Sequence, residues 1–271
     1  MLTAEFVIQI FYSFIIGAIF GSFASCIGWR LFNKSASIFG SRSVCCSCKK
    51  TLLIRDMIPI FSFLKLKGRC RFCGSKIPIW HFLAEVILSV CFVASTIIFH
   101  GINTQTALLW AISTMLVIQS ISDIRTMMSS DILSLSIFAC CVFLAKQLGY
   151  DIKHIVGYSI SIIAFFVVIS IVMSRVLHKQ SLGFGDVKIF ASLVMLFSFE
   201  QNVAFIGLCG FFGIISHVIH LRLKMKNVVK NAENNQKVIK FSRKSSPSFP
   251  FIPSITLAFL LVFWFKIISI R

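Results

Sequence analysis

FVIQIFYSFIIGAIFGSFASCI, residues 6–27, decides the fold. A mostly apolar stretch of about 20 residues is what a helix needs to cross a hydrocarbon core of roughly 30 Å. This one is too long for a signal-peptide core, lacks a basic n-region and shows no small-residue cleavage site, so it reads as a retained membrane helix. Apolar runs of the same kind recur near 81–99, 104–122, 132–149, 154–174, 187–199, 202–221 and 250–270, giving eight candidate helices. The run that begins at Val187 is short and follows a glycine-containing turn, so it is expected to tilt, start late or re-enter. Composition agrees: 57% of the chain is hydrophobic, 13% is charged and the mean hydropathy is +0.91, whereas a soluble domain carries about 25% charged residues. The expectation is an all-α polytopic membrane protein with one modest insertion, and it argues against a water-soluble fold.

The net charge of +18 invites a nucleic-acid reading until the basic residues are placed. If the first helix leaves residues 30–80 on one side, then 123–131, 175–188 and 222–248 fall on that side too. Together these stretches hold 23 of the 27 Lys and Arg, with Lys146, Lys153, Lys266 and Arg271 elsewhere. The positive-inside rule makes that face cytoplasmic and explains the charge without nucleic acid. The stretch from Arg222 to Lys244 suits contact with anionic membrane lipid, and Asn227–Ser248, rich in Asn, Lys and Ser, reads as a flexible loop. No repeat of fixed period is evident. Three parts are expected: a first transmembrane helix over 1–29, a cytoplasmic cysteine-rich module over 30–80, and a membrane domain over 81–271 carrying the basic loop 222–248.

Ten cysteines without a short secreted framework argue against disulfides. Cys45 and Cys48 form one CxxC pair and Cys70 and Cys73 another, with 21 residues between the pairs. Each CxxC turn aims two thiolates at one ion, and two such turns complete the tetrahedral site that Zn²⁺ accepts. A loop of about 50 residues buries little core, so a metal would supply folding free energy that burial does not. Cys46 is one residue out of register for this knuckle, and the alternative is that all five are ordinary loop thiols. Cys26, Cys91, Cys140, Cys141 and Cys209 lie in apolar runs and read as small hydrophobes.

Only nine acids exist: Glu5, Asp56, Glu85, Asp123, Asp131, Asp151, Asp186, Glu200 and Glu233. An ionisable group near membrane depth is costly and marks function unless it caps a helix or reaches the interface. Asp123 follows directly on the 104–122 run, and Asp186 sits in LGFGDVK just before the run at 187, both toward the cytoplasmic face. Two carboxylates brought together share a proton, so one serves as base and the other as acid, and such a pair can direct a water at an amide carbonyl. Gly183 and Gly185 would allow close approach of an extended substrate. Asp186 could equally be a helix N-cap. Asp131 competes with Asp123 but directly precedes Ile132, where capping explains it. Glu85, one turn into the second helix, has no explanation from spacing. Among the six histidines only His217 and His220 stand at helical spacing, which suits interface positioning. No nucleophile elbow or phosphate loop is present.

These residues jointly resemble the bacterial prepilin peptidases, or type IV leader peptidases, nearly end to end. The likeness rests on GSFASCIGWR at 21–30, the two CxxC pairs with IPIFSFLKLKGRCRFCG, Glu85 in HFLAEVI, DIRTMMSSDIL from Asp123, and GFGDVK at 183–188 with its Lys188. It implies a GxGD-type intramembrane aspartic protease with Asp123 and Asp186 as its catalytic pair. The substrates would be prepilins or pseudopilins for pilus assembly or type II secretion, cut after a short basic leader at the cytoplasmic face of the inner membrane. It further implies zinc in the cysteine module and, as in many members, N-methylation of the new N-terminal residue with S-adenosylmethionine, an activity associated with the cysteine-bearing loop. Several positions depart from the family pattern: Ser25 stands where Asn is common, Phe32, Cys46 and Ser130 where Pro is common, and FPFIPSI at 249–255 carries Ile252 where the family's PFGP stretch has Gly. Neither candidate acid and no knuckle cysteine is lost. A transporter passing cations, a non-enzymatic assembly factor and a GxGD protease with another substrate remain the rival classes.

Overall fold

The structure, a computed structural model, describes residues 3–31, 42–177, 183–233 and 250–268. Phe32 and most of the basic stretch 222–248 beyond Glu233 lie outside them. Nine α-helices and no β-strand occur among the described residues: α1 (Ala4–Arg30), α2 (Phe61–Lys65), α3 (Ile79–Ile98), α4 (Thr104–Thr126), α5 (Asp131–Gln147), α6 (Ile152–Leu177), α7 (Phe184–Val194), α8 (Phe199–Glu233) and α9 (Ile252–Ile268). Four of them, α1, α3, α4 and the Phe199–Ile219 part of α8, are long and apolar enough to cross a membrane, with mean hydropathies from 1.6 to 2.0. The protein is therefore an integral membrane protein of all-α class, and among the described residues four of the eight spans expected from the runs meet length and composition together. The stretches Ser159–Val168 of α6 and Ile252–Phe265 of α9 are apolar but shorter.

α1 begins at Thr3, whose hydroxyl accepts the Phe6 N–H. The buried side of α1 consists of Ser13, Gly17, Ala18, Gly21, Ala24, Ser25 and Gly28, so its backbone presses close against α3. A Cβ at Gly17 would stand 2.7 Å from the Leu88 carbonyl oxygen, and one at Gly21 would strike the backbone of Glu85. Small residues at this spacing are how membrane helices pack when lipid removes the hydrophobic drive between them. The antiparallel register is pinned at both ends by hydroxyls, Ser13 to Thr96 at 2.7 Å and Ser25 to His81 Nδ1 at 2.8 Å. Ser25, where the family has Asn, thus still carries a polar contact across this interface.

α4 joins two cores. On one side Val117, Ile118 and Ile121 pack with Ala24, Ala84, Leu88 and Phe92 of α1 and α3. On the other, Leu109, Ile112 and Leu116 meet residues of α5, α7, α8 and α9. Asn103 caps its start by accepting from Thr106, and Met127 ends it in the left-handed region at φ 53°. α7 is the innermost element. It spans 11 residues, about 16 Å at 1.5 Å per residue and half the hydrocarbon thickness. Every residue from Ile189 to Phe197 is buried. The short run at Val187 therefore starts three residues earlier than expected, before Asp186, and a half-length helix is tolerated because protein covers it.

Candidate active site and metal centre

Asp123 lies in the last turn of α4 and is 7% exposed. Its Oδ2 accepts the Ile252 N–H at 3.0 Å, and the neighbouring Phe251 N–H donates to the same carboxylate. The first backbone donors of a helix have no intrahelical acceptor, so Asp123 satisfies the start of α9 from 129 residues away. Pro253 follows at a position where its missing N–H costs nothing. This is where FPFIPSI acquires a purpose: its backbone, which composition does not reveal, holds an acid of another helix. Ser120 and Thr256 share a hydroxyl contact of 2.8 Å one turn deeper and fix the same helix pair.

Asp186 is not the N-cap of α7. Gly183 takes that place, and Asp186 follows in the first turn. Its Oδ2 lies so near that a Cβ on Gly183 would stand 3.1 Å from it. A Cβ on Gly185 would collide with the Ser129 side chain, so this glycine lets the start of α7 press against the α4–α5 loop. The glycines of GFGD thus accommodate the protein's own side chains. The approach brings the Asp186 carboxylate within electrostatic reach of Asp123, and the two repel. Acids so placed can share one proton between them.

The α4–α5 loop is itself fastened. Gln119 accepts the Ser130 N–H at 3.1 Å and donates to the Ser130 carbonyl at 3.3 Å and the Ser134 hydroxyl at 2.9 Å, while Ser122 donates to the Met128 carbonyl at 3.1 Å. A proline at 130 would lack the first of these, so Ser130 adds a donor that Gln119 uses. Asp131 is not a side-chain cap either: it opens α5 and its Oδ1 accepts from Lys188 Nζ at 2.7 Å, tying α5 to the helix that bears Asp186. Both partners are well exposed, so the pair contributes little energy and serves register.

In the insertion, the Sγ atoms of Cys45, Cys48, Cys70 and Cys73 all lie within 4.8 Å of one another, which fits a four-thiolate metal site. Cys46 is exposed and outside the cluster. The two knuckles repeat one hydrogen-bond pattern. Cys45 N–H donates to the Lys50 carbonyl and Lys49 N–H to that of Cys45; Cys70 N–H donates to Ser75 and Gly74 N–H to Cys70. Bridges Val44↔Thr51 and Arg69↔Lys76 close each turn. The residue after each second cysteine is left-handed, Lys49 at φ 59° and Gly74 at φ 67°. The repeat escaped the sequence because a lysine fills in one copy the position glycine fills in the other. Burial pushes the Cys45 thiol up, but N–H donors from Cys48 and Ser47 and contacts with Cys70 and Ser75 outweigh it and bring it down to about 6. Cys48, although favoured by a backbone donor at Lys50, is driven up to about 11 by burial, by its thiol neighbours and by the charge of Cys45. The Cys73 thiol is also lowered, chiefly by the Ser75 hydroxyl, so thiolates form readily at some positions and resist one at Cys48, a conflict that a bound dication would remove.

Glu85, unexplained by spacing, now has a partner. It is 8% exposed, and its Oε2 accepts the Ile60 N–H at 2.7 Å. Ile60 sits at φ 62°, a conformation that β-branched residues rarely adopt, so the bond holds a strained turn of the insertion onto α3. Phe63 of α2 stacks on Phe82 of α3 with centroids 4.8 Å apart, and Asp56 binds Arg71 through both oxygens. The Arg71 guanidinium keeps the Asp56 carboxyl below its ordinary range.

Residues 15–99 match the profile described as Bacterial Peptidase A24 N-terminal domain, and residues 110–218 match that described as Type IV leader peptidase family. The type 4 prepilin-like proteins leader peptide-processing enzyme of Escherichia coli O78:H11 is 31% identical over 197 residues, covering 65% of this chain and 72% of that protein. The prepilin leader peptidase/N-methyltransferase of Bacillus subtilis strain 168 is 29% identical over 202 residues, covering 74% and 77%. The protein of that same name in Vibrio cholerae is 26% identical over 207 residues, covering 72% and 80%. No solved structure matches.

Proposed function

We infer, from the premise that this chain belongs to the type IV leader peptidase family, that it removes the leader of type IV prepilins or pseudopilins and N-methylates the residue thus exposed. The peptidase reading is supported by Asp186 lying within electrostatic reach of Asp123, 63 positions away in sequence, which itself receives the start of α9. Asp123, which receives the α9 donors, carries the negative charge at rest and takes a proton from the attacking water. Asp186 holds the shared proton and gives it to the scissile carbonyl oxygen. Gly183 and Gly185 let the carboxylates approach, and Lys188 keeps α7 in register through Asp131.

The division of the chain follows the same logic. The helix over 1–29 and the domain over 81–271 form the membrane body, and the insertion over 30–80 is a metal module. Zn²⁺ in Cys45, Cys48, Cys70 and Cys73 supplies the cross-link that so small an insertion needs. S-adenosylmethionine supplies the methyl group. The distribution of Lys and Arg puts the cysteines and both acids on the cytoplasmic side of the inner membrane, where a prepilin with its apolar helix in the bilayer presents its basic leader. Pilus assembly or type II secretion is the process served.

Co-expression with a candidate prepilin, followed by mass spectrometry of its N-terminus, tests this reading. Wild type is expected to yield a shortened chain carrying one added methyl group, while Asp123→Asn and Asp186→Asn, present as folded membrane protein, yield none. Retained cleavage in either variant overturns the pair.

A further inference from the structure

Between the end of α1, the two knuckles, α2 and the start of α3 lies a cavity of about 210 Å³. Glu85 and Asp56 are the acids that line it. Asp56 is neutralised by the two-pronged contact with Arg71. Glu85 has no ion pair among the described residues, although Arg30, Lys49, Lys76 and His81 also border the space. One of its oxygens takes the Ile60 N–H, and Ser22 lies beside the carboxylate. A nearly buried carboxylate without a cation costs several kcal/mol, so Glu85 is suited to receive a cationic group that enters the cavity. Trp29, Phe63, Phe72 and Phe82 give the rest of the wall an aromatic surface suited to the apolar body of such a ligand.

The end of α4 that carries Asp123 also reaches the cavity wall. Arg125, two residues beyond Asp123, stacks its guanidinium over Trp29 at 5.2 Å and over Trp80 at 6.0 Å, and Trp29 is also a cavity wall. Leader removal at the acids creates one new cation, the α-ammonium of the shortened chain.

We propose that Glu85 binds the α-ammonium of the freshly cut substrate in this cavity and is the base of the methyl-transfer step. This rests on the methylation reading above. Glu85 takes one proton from the ammonium. The freed lone pair on nitrogen then forms the N–C bond as the C–S bond of a sulfonium methyl donor breaks, its electrons staying on sulfur. The products are a secondary ammonium, a protonated Glu85 and a neutral thioether.

Glu85→Gln removes the charge but keeps an amide oxygen for the Ile60 N–H, so it separates this role from the latch. The probe is a peptide with the N-terminal residues of the mature pilin, bearing a free or an acetylated amine, titrated onto the detergent-solubilised full chain without methyl donor. The wild type should bind the free amine at least about tenfold more tightly, and Glu85→Gln should bind the two alike. In the co-expression assay the methylated share of the cut product should fall about 100-fold in Glu85→Gln. Equal binding of both peptides by the wild type, or an unchanged methylated share in Glu85→Gln, overturns the proposal. A wild type that cuts prepilins without methylating them defeats the underlying reading instead, and the peptide comparison still decides what Glu85 binds.

Discussion

In the insertion, from Arg42 to Pro78, Cys45 and Cys70 are the only buried residues, and Ile54, Phe61 and Leu64 are largely exposed. In α7 and its following turn, nine consecutive residues from Ile189 to Phe197 are buried without interruption. Yet each region holds a group in place, four clustered thiols in one and Asp186 in the other. The contrast teaches that packing and coordination are interchangeable ways of fixing a short segment. Where surrounding helices supply van der Waals contacts, 11 residues of helix suffice to present Asp186. Where they do not, four thiols grouped as a metal site can take over.

Predictions that would break or sharpen this contrast can be ranked by size. Asp186→Asn should drop prepilin cleavage by about 1,000-fold or more with little change in thermal stability, because packing holds α7. Cleavage in membranes and a melting curve of the purified protein check both halves. Cys70→Ser, or prolonged chelation, should act oppositely. The insertion should become sensitive to protease and methylation should be lost, while cleavage falls by less than about tenfold; equal loss of both activities would show that α7 also depends on the metal. Gly185→Ala should cost about 1–3 kcal/mol as the new methyl meets Ser129, read as reduced cleavage with the methylated share of the cut product unaltered. Ile252→Pro removes the N–H on Asp123 at a helix position that tolerates proline, and should slow cleavage about tenfold. The smallest effect is expected for Lys49→Gly, which relieves a left-handed lysine and should tighten metal retention by about 1 kcal/mol, measured by competition with a chromogenic chelator.

Much of this was legible in the chain. Apolar runs gave the membrane class, and the CxxC spacing marked four thiols that do cluster. The two acids stood out because so few exist. What stayed hidden has a common physical cause, since it resides in main-chain atoms or in the far side of a contact. The Ile252 N–H that Asp123 accepts has no side-chain signature. Glu85 answers to Ile60 of the insertion, 25 residues earlier, and no helical periodicity reports that. The length of α7 was hidden as well, because it is as apolar as a membrane-crossing helix and stops at half the length. A stretch buried in protein and one facing lipid obey the same hydropathy.

The dependence of Asp123 on α9 also bears on how the protein is made. The start of α9 lies 129 residues after Asp123, and until it is made and folds, its first N–H groups cannot reach the acid on α4. During synthesis the nascent enzyme therefore holds both acids without the donors that orient one of them. A chain made only as far as α8 lacks the contact that orients Asp123.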